Sequence, residues 1–115
     1  MEFTKEYVLL DDVEEATTSN AMRVSGAAAL NFQVEIGANP EGATGGVTIA
    51  IEGTVDSTTD EDTVWTVIDS TAKAAGDTAA YNVSVTLVPF NNVRTKTSSQ
   101  GAAAKASVSL MMAGM

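Results

Sequence analysis

VTIAIEGTVDSTTDEDTVWTVI, residues 47–68, is the stretch from which the rest of the chain can be read. Val47, Ile49, Ile51 and Val55 alternate with Thr48, Ala50, Glu52 and Thr54. That is the period of two of a strand with one face buried and the other wet. Acidic and hydroxyl residues fill Asp56 to Thr63, and Val64-Trp65-Thr66-Val67-Ile68 reads as a returning strand. Two β-type runs joined by a polar connection predict an antiparallel hairpin. Trp65, the one tryptophan, opens the second strand beside a glycine kink at Gly53. It is read as core packing rather than as a ligand platform.

On either side of this hairpin the chain offers more short strands. Tyr7-Val8-Leu9-Leu10 is a β-type run, and residues 11–21 read as a loop, too short and too rich in Thr, Ser and Asn for a helix. Met22 to Ser25 reads as a strand ending at Gly26, and Leu30 to Ile36 alternates without a fault. Residues 37–46 form a turn region in which Gly45-Gly46 lacks the GK[ST] and helix of a phosphate loop. Residues 69–80 have some helical propensity but no apolar stripe. Tyr81 to Val88 alternates again, and Pro89 with Asn91-Asn92 turns the chain into Val93-Arg94-Thr95-Lys96-Thr97. Both cations of that run share one face, as on an edge strand or a strand facing a partner. A turn over residues 98–102 leads to a last strand, Ala103 to Ala113. About eight short strands and no long helix predict an all-β antiparallel sandwich or jelly roll. It spans residues 1–115 as one domain, with residues 1–21 as a candidate extended arm or loop.

Composition narrows the function. Of the 44% hydrophobic residues, many are alanine, and only six residues are aromatic, so the core is thin and burial against a partner subunit is expected. Histidine and cysteine are both absent. The commonest general base, the commonest metal ligand and any disulfide go with them. Carboxylate pairs Asp11/Asp12 and Glu14/Glu15 lie in a polar segment with nothing apolar to raise a pKa, so no enzyme is expected. No cofactor is expected either. Asp56, Asp60 and Asp62 alternate as oxygen ligands for calcium would, but Glu61 stands where an EF-hand needs glycine, so they are weak metal candidates. The amino terminus lacks the apolar core of a signal peptide, and no run approaches a membrane helix, so the chain is expected to be made and used without crossing a membrane. A net charge of −9 disfavours nucleic acid and anionic membranes. The acids are concentrated before residue 63, and Arg94 and Lys96 lie after it. An acidic outward face and a separate contact face are therefore expected.

Ile51-Glu52-Gly53-Thr54, Asp56, Trp65 and Val93-Arg94, with the closing Ala106-Ser107-Val108-Ser109-Leu110, resemble short β-sandwich virion proteins of tailed bacteriophages. The resemblance covers residues 47–68 and 91–113. It departs from the pattern in the acidic insertion Thr58 to Thr63 and in Asn92, where the family has an aromatic. It implies a virion structural protein, most often a capsid decoration (cement) protein on the major capsid protein lattice, sometimes a tail or fibre protein. It also implies a homotrimer at the virion surface, made in the host cytoplasm. The same hairpin is similar to galactose-binding-like jelly rolls of the discoidin type. On that reading a sugar platform would come from Phe90 and Asn91-Asn92, since Phe32 and Tyr81 are committed to the core. Contact with a lattice is expected through Phe3, Tyr7 and Leu9, through Arg94 and Lys96, and through Met111, Met112 and Met115. Methionine suits an adaptable interface, and residues 111–115 are expected to be removable without loss of the fold.

Overall fold

The computed structural model describes residues 3–37, 46–74, 79–86, 88–98 and 105–114. These form eight strands: β1 (Phe3–Val13), β2 (Met22–Arg23), β3 (Ala27–Gly37), β4 (Val47–Thr54), β5 (Thr66–Lys73), β6 (Ala79–Thr86), β7 (Asn92–Ser98) and β8 (Lys105–Gly114). One antiparallel sheet, A, has the order β1-β8-β3-β6, and the other, B, the order β2-β7-β4-β5. The pairs β1–β8, β2–β7, β3–β6 and β4–β5 nest inside one another like a long hairpin rolled into two layers. This is the jelly roll. Its innermost pair is the 47–68 hairpin.

Alternation builds the core. On β3, Leu30, Phe32, Val34 and Ile36 point inward and on β4 so do Val47, Ile49 and Ile51, all buried in one cluster with Val108 and Leu110 of β8. The register sets apolar rows across sheet A: Tyr7, Leu110, Phe32 and Val83 lie side by side, as do Leu10, Val108, Val34 and Tyr81. Sheet B turns a more polar face inward, with Thr95 and Thr97 buried beside Ile51 and Ile49.

The strand boundaries differ from the sequence pattern in three places. First, β1 runs from Phe3 to Val13, and residues 17–19 lie along β7, with Thr97 N donating to Thr17 O at 2.8 Å and Ser19 N to Thr95 O at 2.8 Å. Most of the candidate arm is thus bound to the sandwich. Second, β5 continues through Asp69 to Lys73, where helical propensity stood out, because pairing with β4 supplies the backbone bonds that a weak pattern does not announce. Third, β7 is an interior strand between β2 and β4, not an edge. The turns read at 37–46 and 98–102 fall mostly outside the described residues, as does Leu87.

Gly53 has a packing role. A Cβ there would stand 2.6 Å from Cγ of Phe90, whose ring lies on the bare glycine. Gly53→Ala is therefore expected to cost about 1–3 kcal/mol in urea denaturation, and less in a Phe90→Ala background. An unchanged midpoint would mean that the ring slides aside freely.

Tyr81 stands where β6 faces β5. Burial raises its phenol pKa above 10.0; the nearby Thr71 hydroxyl opposes this and the Asp69 carboxylate adds to it. No well-formed hydrogen bond satisfies the phenol oxygen among the described residues. The fold favours the neutral phenol, so its contribution is intact below pH 10 and is lost as pH rises through the raised value. Tyr81→Phe should flatten the alkaline fall in stability measured by denaturant titration. An equally steep fall would acquit the phenol.

Candidate interaction surface

The alternation of β7 sends Val93, Thr95 and Thr97 into the core and leaves Arg94 and Lys96 on the outer face of sheet B. Glu52 of β4 is the cross-strand partner of Arg94, and its Oε1 accepts from Arg94 Nε at 2.8 Å. The guanidinium also lies 4.2 Å from the centroid of the Trp65 ring. Val67 flanks Glu52 on the other side. One row of the outer face thus reads Arg94, Glu52, Val67, with the indole against the guanidinium. Trp65 precedes β5 and is only half-buried outside the core cluster, which corrects the core reading of this residue. On the same hairpin Val55, Val64 and Val67 are 68%, 79% and 55% exposed. Sequence reasoning missed these exposed apolar residues. Their signal was the run Val64-Trp65-Thr66-Val67-Ile68, which holds more apolar residues than one strand face can bury.

The same contact places one acid of the amino-terminal half on the face that carries the two cations. β4, from the acidic half of the chain, lies beside β7 from the other half, so Glu52 meets Arg94. Lys96 is exposed, with no ion pair to it among the described residues.

The connection from Val55 to Trp65 is held by side-chain amides. Asn91 Nδ2 donates to Val55 O at 2.6 Å, and Asn92 Nδ2 donates to Asp56 O at 2.8 Å. Arg23 Nη1 donates to Ser57 O at 3.3 Å. Phe90 is spent on Gly53 and both asparagine amides on this loop, so the proposed sugar platform is not presented. Further along, Asp60 Oδ1 accepts from Asp62 N at 2.8 Å and closes a turn. Asp56, Asp60 and Asp62 are exposed, and no group of three acids converges among the described residues.

The remaining candidates lie elsewhere. Tyr7 and Met112 line a cleft of about 290 Å³ at the end of sheet A, with Arg23 and Ser25. Leu9 packs against the margin of the core. Met111 shares the outer face of sheet A with its neighbours Glu6 and Asn31. Phe3 begins β1 opposite Ala113, and Met115 is outside the described residues. The structure therefore brings Arg94 and Lys96 together on one sheet, and Tyr7 and Met112 together on the other. Met111, Met112 and Ala113 are paired to both β1 and β3, and Ala113 is fully buried. This overturns the expectation that residues 111–115 can be removed without harm.

Because Trp65 is the only tryptophan, its fluorescence reports on the Arg94 stack. Arg94→Ala is expected to shift the emission and to cost about 1–2 kcal/mol, the combined size of a partly buried ion pair and a cation–π contact. Arg94→Lys should fall between, because it keeps the charge and loses the planar stack. Identical spectra for all three proteins would show that the stack is not held in solution.

No protein-family model matches the chain, and no curated protein does. Among solved structures, SPBc2 prophage-derived protein YomS aligns over 95% of this chain and 92% of its own, with a TM-score of 0.60 and 7% identity. A chain from Bacillus endospore appendages, a family of disulfide-linked pili, aligns over 100% and 95%, with a TM-score of 0.42 and 15% identity. The present chain has no cysteine. The chain thus shares its fold, an eight-stranded jelly roll, with a prophage-derived protein.

Proposed function

We propose that this chain is a non-enzymatic structural protein of a tailed-phage virion, and within that class a decoration protein seated on the major capsid protein lattice. It would be made in the host cytoplasm and end on the capsid surface. The observation that carries this reading is the stack of Arg94 on the half-buried Trp65, on a hairpin that also exposes Val55, Val64 and Val67. Tryptophan and arginine are the residue types that anchor protein interfaces, and the exposed valines of the same hairpin would add apolar contact area to them. The shared fold with a prophage-derived protein agrees with the role but carries only the fold. The absence of histidine and cysteine and the exposure of Asp11, Asp12, Glu14 and Glu15 support a role without catalysis.

The test is binding of the purified chain to particles of the parent phage that lack it. The chain should bind in stoichiometric copy number, and Val64→Asp with Val67→Thr, both at exposed positions, should abolish binding while leaving thermal stability within about 0.5 kcal/mol of the original. Saturable glycan binding without particle binding would instead make it a carbohydrate-binding module. Copies confined to the tail would remove the capsid assignment and keep the structural one.

A further inference from the structure

A sheet edge is a row of unpaired backbone groups, and soluble proteins guard such rows with bulges, charges, proline or brevity. Three of the four edges here are guarded. Strand β1 has register shifts at Phe3/Lys5, Val8/Leu10 and Leu10/Val13, carries Glu6, Asp11 and Asp12, and holds Asp12 at φ 47°. Strand β2 is two residues long. Strand β5 has a register shift opposite Ile51/Glu52, and its Asp69 and Lys73 lie across from the buried Ile51 and Val47.

Strand β6 has none of these devices. Its sequence, Ala79-Ala80-Tyr81-Asn82-Val83-Ser84-Val85-Thr86, contains no charge, no proline and no glycine. It pairs with β3 through eight consecutive residues without a shift, and on its other side no strand of the described residues lies. Its inward side chains Tyr81, Val83 and Val85 are only half-buried, whereas their partners on β3, Val34, Phe32 and Leu30, are 0% exposed.

The order of residues indicates the occupant. About Val83 the strand is nearly symmetric: Asn82 and Ser84 stand one step away, Tyr81 and Val85 two, Ala80 and Thr86 three. If a second β6 lies antiparallel with Val83 opposite Val83, then Tyr81 meets Val85 on the inward face and Asn82 meets Ser84 on the outward face. Like faces coincide, so both apolar rows are continued across the junction. No like charges meet within the two strands. We propose that β6 is a self-pairing edge, through which two copies of this chain join across a two-fold axis at Val83 into one continuous eight-stranded sheet. The contact is isologous and closes on itself. It goes beyond the virion role and does not rest on it. It also predicts a dimer, where the family resemblance implies a trimer.

Light scattering on the full chain, across micromolar concentrations and at low and high salt, tests this. A dimer is expected, and it should strengthen with salt, because each copy carries −9 while the joining strands are neutral. Asn82→Lys with Ser84→Lys changes two exposed positions and sets lysine opposite lysine across the axis. That variant should be monomeric and still unfold cooperatively, at a melting temperature that no longer depends on protein concentration. Mixing it with Asn82→Glu, Ser84→Glu chains should restore a dimer of one copy of each, which simple misfolding could not do. A wild-type chain that stays monomeric at every salt concentration overturns the proposal, as does a trimer that the lysine pair leaves intact. A monomeric chain whose particle binding alone is lost in the lysine variant would give the edge to a strand of another protein and also overturn self-pairing.

Discussion

Burial of every second residue on β3 and β4, consecutive strands in opposite sheets, is the constraint on which the rest of the structure depends. Leu30, Phe32, Val34 and Ile36 from one strand and Val47, Ile49 and Ile51 from the other make up over half of the core cluster. A slip of one residue in either strand would turn its whole apolar set to water, so their register is fixed. The neighbours inherit it: Leu110 and Val83 fall beside Phe32, and Thr95 beside Ile51. With so little aromatic material, the sandwich relies on this alignment rather than on bulk.

Where apolar burial gives out, hydroxyl and amide groups take over. Residues 15–19 lack any strand pattern, yet they are fixed along β7: Thr17 N donates to Thr97 Oγ1 at 2.9 Å, and Thr95 N donates to Ser19 Oγ at 2.9 Å. Asn91 and Asn92 do the same for the hairpin connection. Such bonds are individually worth about 1 kcal/mol, but each removes an unpaired backbone group from a crowded region. Thr95 shows the cost of this solution, since its own hydroxyl is buried with no partner among the described residues.

The fold class was legible in the sequence because a period of two survives in β3, β4, β6 and β7. β5 was legible only at its start, Thr66 to Ile68, because Asp69 to Lys73 carries no apolar alternation and lies on an edge where only one neighbour imposes order. Trp65 was misplaced for a related reason: an apolar residue at a strand boundary looks the same in sequence whether it turns in or out. The cross-strand meeting of Glu52 and Arg94 depends on which strands are neighbours, and no local pattern encodes that. Of the interface candidates, the sequence could mark Arg94 and Lys96 as one face, but which valines of the run 64–68 stay exposed emerged only from the geometry.

Nested pairing also sets an order for the molecule's birth on the ribosome. The partners β4 and β5 are close in sequence, β3 and β6 farther apart, and β1 and β8 lie at opposite ends of the chain. Loop-closure entropy favours the near pair first and the far pair last. Yet β8 is no outlying addition, because it sits between β1 and β3 in the middle of sheet A. Until β8 emerges, the nascent chain holds β1 and β3 with the slot between them unfilled. The apolar faces of both stay uncovered there, so the sandwich cannot close before β8 is available.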